Sequence, residues 1–245
     1  LAGLVSILPG QRRALHEVNV LGTRNVLHAC KQCGIGRMVY VSSVHALEEP
    51  PRGVPVTENA GNDPLRIIGD YAQSKALATC EVMSAARAGL DAVVVYPSGV
   101  VGPYDFKVSE MGRLILDFAR GRLPGYVEGA YDFVDVRDVV NGILAAGEQG
   151  RAGEGYILSG EILSVSRLMK MLQDLTGIPA PSICFPSWLA NSAAIFTPLL
   201  AAVTGTKARF TRYTLCVLRS NAQMDCTKAR QELAYQARTL EVSFT

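Results

Sequence analysis

The chain has 245 residues, 24 of them Lys or Arg and 22 Asp or Glu, for a formal net charge of +2. With 49% hydrophobic and 19% charged residues, a substantial core is expected and disorder is excluded; the near-neutral balance is not that of a protein built to bind nucleic acid. The 23 Gly and 12 Pro follow no short repeat, which excludes collagen-like and low-complexity chains.

Residues 1–8 form a short apolar run that reads as the end of a strand and stops at Pro9-Gly10. No initiator Met and no signal peptide precede it, so the chain is expected to be an incomplete copy of a longer protein. Over residues 11–33, Leu15, Val18, Leu21, Val26 and Ala29 recur at helical spacing, and Gly34 follows as a C-cap. Residues 38–41 are apolar and β-rich, and in alternation with helices such a run reads as a buried parallel strand. Ser42-Ser43 stands at its carboxyl end, before a loop over residues 48–63. A helix is expected over residues 70–88, with Asp70 as N-cap and Gly89 as C-cap, then a buried strand over 92–96. Further on the pattern gives a helix at 109–120, a strand at 133–136, a helix at 137–146 capped by Asp135 or Asp138, a strand at 156–158, and a helix at 164–176 closed by Gly177. The alternation predicts an α/β protein with a parallel sheet.

Residues 175–206 carry no charged side chain. Pro186 and Pro198 interrupt the stretch, so it is expected to be buried and to line an apolar pocket rather than to enter a membrane. Lys207, Arg209, Arg212 and Arg219 after it read as a solvated helix face. The chain has 6 cysteines; Cys30 and Cys33 form a CxxC, but no second pair exists to complete a zinc site. A reducing, cytoplasmic compartment follows. His16, His28 and His45 have no Cys or carboxylate at ligand spacing, so no metal is assigned, and they read as surface or supporting residues.

The sharpest chemical signal is Tyr71-Ala72-Gln73-Ser74-Lys75. Tyr and Lys four apart share one helix face, and an ammonium beside a phenol should lower the phenol's pKa toward neutral, where it can exchange a proton with a substrate oxygen. A hydroxyl at the carboxyl end of a parallel strand, as at Ser42-Ser43, sits where α/β sheets place ligands.

These residues, together with Val18-Asn19-Val20-Leu21-Gly22-Thr23, Val39-Tyr40-Val41-Ser42-Ser43, Pro97-Ser98-Gly99-Val100-Val101-Gly102-Pro103 and Asp132-Phe133-Val134-Asp135-Val136-Arg137-Asp138-Val139, resemble the extended short-chain dehydrogenases/reductases of the epimerase/dehydratase branch over nearly the whole chain. The resemblance implies a partial Rossmann-type, doubly wound parallel sheet over residues 1–103 and 132–160, with a smaller substrate lobe over 104–131 and 161–245. It implies hydride transfer with NAD or NADP: Tyr71 as acid/base, Lys75 tuning it and binding the nicotinamide ribose, Ser43 holding the substrate oxygen, and Asn19 fixing a water or the backbone near Lys75. Leu1, Ala2, Gly3, Ser42, Pro97, Ser98, Gly99 and Val100 would line the cofactor, although a strand-end hydroxyl satisfying local backbone is the favoured role for Ser42.

The family's opening Gly-rich loop, which seats the pyrophosphate at a helix N-terminus, is not among these residues, so weak dinucleotide binding is expected of this chain by itself. Tyr131 stands before Asp132-Phe133 where sugar-nucleotide enzymes of the branch usually carry Arg, and Val101 precedes Gly102-Pro103 where they favour Tyr. Both departures resemble the dihydroflavonol-reductase and 3β-hydroxysteroid-dehydrogenase-like members and imply an apolar carbonyl or alcohol substrate. A sugar-nucleotide epimerase or dehydratase and an inactive remnant or binding protein are the alternatives. The expected partners are a small-molecule substrate and, as an open alternative, a second copy of the chain; no nucleic-acid partner is expected.

Overall fold

The computed structural model describes residues 3–6, 10–186, 188 and 220–244. The first helix runs without a break through α1 (Arg12–Leu15), a π-helical segment (His16–Leu21) and α2 (Gly22–Gln32). Gly34 follows at φ 62°, the left-handed conformation that ends a helix at little cost for glycine. Residues 3–6, expected to close a strand, carry none.

The central sheet has the order β1 (Met38–Val41), β2 (Ala92–Pro97), β6 (Gly155–Leu158), all parallel. Every residue of β2 is buried, which requires cover on both faces; α3 (Asp70–Arg87) and α5 (Val136–Gln149) both pack against it and supply that cover. The β-branched run Val93-Val94-Val95 suits this position, because stiff branched side chains fill a pleated surface with little loss of rotamer freedom. α3 begins at Asp70 itself, and Gly69, at φ 104°, holds the cap position, so Asp70 is the first helical residue rather than the N-cap.

A second sheet, in the order β3 (Gly99–Val101), β5 (Ala130–Asp135), β7 (Glu161–Ser164), pairs β3 with β5 in parallel and β5 with β7 antiparallel. A short parallel pair joins β4 (Tyr126–Val127) to β8 (Cys184–Phe185). The helices here have side-chain caps. Ser109 accepts from Gly112 N–H at the start of α4 (Glu110–Ala119), Asp135 from Arg137 N–H at α5, and Ser164 from Arg167 N–H at α6 (Val165–Thr176). Asp135, not Asp138, is therefore the α5 cap.

Two apolar cores result. One surrounds β1, β2 and β6 and includes Val82, Val94, Ile157 and Leu158, with Ala229 and Leu233 of α7 (Thr227–Leu233); the other joins Phe118, Leu163, Leu168, Leu172 and Leu240 of α8 (Leu240–Phe244). The carboxylate of Asp138, buried on α5, takes the Arg238 guanidinium at 2.8 Å, tying the C-terminal segment to the central sheet.

Of residues 175–206, 175–186 and 188 are described, and none is buried: Leu175 is 46%, Ile183 54% and Trp188 68% exposed. Burial of this part, expected from its lack of charge, is thus not observed; low charge alone does not decide which apolar face finds a partner. The rest of that stretch and the basic stripe at Lys207, Arg209, Arg212 and Arg219 lie outside the described residues. Among the described residues no helix is long and apolar enough to cross a membrane.

Candidate active site

β1 ends at Val41, and Ser42 and Ser43 leave the sheet at its carboxyl edge. The two hydroxyls diverge, as consecutive residues of extended backbone must. Ser42 Oγ lies 2.7 Å from Thr79 Oγ1 on α3, and Thr79 Oγ1 in turn donates to the Lys75 carbonyl at 2.8 Å. Both hydroxyls are buried and satisfied between strand and helix, so the Ser42 side chain ties β1 to α3, the local role favoured for it from the sequence. Ser43 turns the other way. It caps a single 3₁₀ turn, Val44–Ala46, accepting from the His45 N–H, and its hydroxyl is close enough to the Tyr71 phenol to favour the phenolate.

Tyr71 and Lys75 stand one turn apart on α3. Burial raises the Tyr71 pKa and the Ser43 hydroxyl pulls it partly back, so the net direction is up. The expected lowering by Lys75 is not found. The lysine reaches across to β1, where Nζ donates to the Val41 carbonyl at 2.7 Å and lies 3.4 Å from the Tyr40 hydroxyl and 4.9 Å from the Tyr40 ring centroid. Burial brings the Lys75 ammonium down to about 8 and pushes the Tyr40 phenol up to about 12. Tyr40 was not singled out in the sequence; only the pairing of β1 with α3 reveals it as a neighbour of Lys75.

Asn19 occupies the π-helical segment and bonds three groups. Its Oδ1 accepts from Leu4 N–H at 2.8 Å, and its Nδ2 donates to the Leu4 carbonyl at 2.9 Å and to Ser74 Oγ at 3.0 Å. Asn19 therefore ties the segment after Gly3 to α3, next to Lys75; a Cβ on Gly3 would meet Asn19 Oδ1 at 3.7 Å. Leu1 and Ala2 lie outside the described residues.

Pro97 ends β2, Ser98 is buried, and Gly99 and Val100 open β3, with Val100 half exposed. Ser98 sits beside the Asp132 carboxyl, but among the described residues its buried Oγ makes no hydrogen bond of good geometry. An orphaned hydroxyl at this turn, with Lys75 and Tyr71 across β1, is polar capacity that suits the amide and ribose of a nicotinamide.

A cavity of about 600 Å³ opens beside Ser43 and Tyr71, lined by Val44, His45, Leu47, Val56, Ile67, Ile68, Ala72, Tyr131 and Met224 among others. His45, read from the sequence as a surface or supporting residue, is half-buried, with Nε2 2.8 Å from the Tyr131 hydroxyl; burial lowers its pKa to about 4, so the imidazole is neutral at pH 7. The sequence clue was its place two residues after the strand-end serine.

The NAD-dependent epimerase/dehydratase family model matches residues 9–159. The sterol demethylase protein B of Methylococcus capsulatus is 36% identical over 245 residues, covering 99% of this chain and 74% of its own. A 4-hydroxy-2-methyl-3-oxo-4-farnesyl-3,4-dihydroquinoline-1-oxide ketoreductase of Stigmatella aurantiaca is 32% identical over 91% of this chain and 67% of its own. The crystal structure of gox2253 superposes with a TM-score of 0.83 at 34% identity, over 99% of this chain and 74% of that one. Two more distant structures share the fold, at TM-scores of 0.75 and 0.74 and identities of 22% and 20%; they are complexes with NAD and with NADPH.

Proposed function

The chain belongs to the NAD-dependent epimerase/dehydratase family of extended short-chain dehydrogenases/reductases, and on that premise we propose that it interconverts a carbonyl and an alcohol on an apolar small molecule, with Tyr71 as the proton donor and acceptor. What carries this is the placement of Ser43 at the carboxyl end of β1 and of Tyr71 at the start of α3, each one residue from a group that lines the cavity, Val44 and Ala72. Ser43 orients the substrate oxygen toward the phenol, and Tyr71 delivers a proton to that oxygen as the carbonyl is reduced, or removes it in the reverse direction. The nicotinamide, when bound, supplies or accepts the hydride. Lys75 would hold its ribose, and the Pro97–Val100 turn its ring.

Charge in the cavity favours an apolar substrate over a nucleotide sugar. Glu48 accepts from Arg66 at 3.3 Å and Glu49 accepts from the Asn221 N–H, so two carboxylates face one guanidinium that is already paired. A diphosphate would meet net negative charge there. The core of Phe118, Leu163, Leu168 and Leu172 supports a substrate part within 104–131 and 161–245 beside a cofactor part at 1–103 and 132–160, while Ala229 and Leu233 return to pack on the cofactor part. Exposed Val18, Leu21, Val26 and Leu77 on the first helix and α3 offer an apolar face to a second copy of the chain. The free thiols Cys30, Cys33 and Cys80 suit the cytoplasm.

The test is nicotinamide oxidation, with NADH and NADPH, against bicyclic ketones and against UDP-sugars. Ketone-dependent oxidation is the expected result; conversion of a UDP-sugar without ketone turnover would replace this reading with an epimerase.

A further inference from the structure

Tyr131 enters the cavity from β5, and its ring is fixed on several sides. The His45 ring stacks on it with centroids 5.6 Å apart and planes 15° off parallel, and Phe133 meets it edge-on at 5.5 Å. Gly99 leaves room for it, since a Cβ there would come within 2.8 Å of Tyr131 Cε1. The hydroxyl is thereby aimed at His45 Nε2, 2.8 Å away, among Val44, Leu47, Ile67 and Met224. A polar pair in an apolar wall carries a desolvation cost that a purely structural contact could avoid with a Phe. The charged lining groups Glu48, Glu49 and Arg66 are engaged with other partners. A phenol can donate one hydrogen bond and accept two, so a phenol that donates to the imidazole can still accept from a hydroxyl, and one that accepts from the imidazole N–H can still donate to a carbonyl.

We propose that Tyr131 and His45 form a second polar station in the cavity, which binds an oxygen remote from the reacting carbon of an otherwise apolar substrate. The station fixes the substrate at two points, and two fixed points decide which carbon and which face are presented at Tyr71. The assignment rests on Tyr71 as the reaction centre, and it adds a recognition requirement: a ligand with one oxygen uses one end of the site, a ligand with two uses both.

The probes are 2-decalone and the same bicycle carrying a ring hydroxyl on its far side. Binding to the full chain is measured by calorimetry in the presence of NADPH, alongside turnover. The hydroxyketone is expected to bind about tenfold tighter than the plain ketone. Tyr131→Phe, which keeps the ring, should bring the two affinities together, and His45→Gln, which keeps a polar group near the Nε2 position, should retain part of the preference. Equal affinities in the parent chain, no binding of either probe, or an unchanged preference in Tyr131→Phe with His45→Gln also unchanged would each overturn the proposal. Tyr71→Phe separates the two readings. Retained turnover in that variant removes the reaction centre, whereas the binding preference belongs to the station alone. Should Tyr131→Phe fail to fold, as judged by its melting transition, the preference measured in His45→Gln and in His45→Leu decides, with loss in the leucine variant supporting the station and retention overturning it.

Discussion

Replacing Tyr71 by Phe deletes one oxygen and leaves the ring on α3. The hydroxyl's neighbour is Ser43, whose Oγ still accepts from the His45 N–H at 3.3 Å, so only the Ser43 O–H loses a partner. Loss of one such hydrogen bond costs about 0.5–1.5 kcal/mol net, and the half-buried site returns part of it because a phenol is more costly to desolvate than a phenyl ring. For a chain of this size that corresponds to a melting shift of roughly 2–5 °C at most. The chemical effect is far larger. Without the phenol the carbonyl oxygen must take its proton from water, and deletion of a positioned acid typically lowers turnover by about 10²–10⁴, or roughly 3–5 kcal/mol of barrier. The assay is nicotinamide absorbance at saturating ketone, with calorimetric cofactor binding and thermal melting run on the same samples. A variant that melts within a few degrees of the parent and binds cofactor equally, yet retains more than about a tenth of the parent's turnover, would refute Tyr71 as acid/base.

Thr79→Val keeps shape but leaves Ser42 Oγ buried without a partner; a destabilisation of about 1–3 kcal/mol in urea unfolding is expected, with cofactor affinity unchanged, as befits a packing contact. Gly99→Ala puts a Cβ 2.7 Å from the Phe133 ring and 3.0 Å from the Asp132 carbonyl; the ring can turn but the backbone cannot, so roughly 1–3 kcal/mol of stability should be lost and the Tyr131–His45 contact disturbed, visible as a changed His45 imidazole resonance. Although burial raises the Asp135 carboxyl, its hydrogen bonds from Arg137 outweigh that and bring it down to about 2. A carboxylate held below its unfolded value of about 3.9 adds stability that is fully present above that value and is lost as pH falls through 2. The stability difference between the parent and Asp135→Asn should therefore shrink between pH 4 and 2, and a difference that stays constant with pH would count against it.

Much of this architecture is local in origin and was therefore legible in order along the chain. Residues 38–41 and 92–96 read as strands because they are unbroken apolar runs rich in Val and Tyr, and they form β1 and β2; β2 is buried throughout as expected, whereas in β1 only Tyr40 is buried and its neighbours are half-buried. Helical periodicity with flanking Ser and Gly placed α4 and α6 within a residue of their ends, because caps satisfy backbone groups that any helix end exposes. The Tyr71–Lys75 spacing and the strand-end Ser43 were equally local. The short strands β3, β4, β7 and β8 carry two to four residues each, too few for a period, and exist through their partners. The direction taken by each polar group was also settled only by the fold. Lys75 could have faced Tyr71, but it finds the Val41 carbonyl, an acceptor β1 offers where the strand ends. Ser42 and Ser43 are chemically identical in the sequence, and the pleat alone sends one to Thr79 and the other to Tyr71. His45 and Tyr131 lie 86 positions apart, and no spacing rule reaches that far; only the folded placement of β5 against the turn after β1 brings them to 2.8 Å. Periodicity and caps act over a few residues, whereas the partner of a side chain is chosen by whatever the packed elements place within about 3 Å of it.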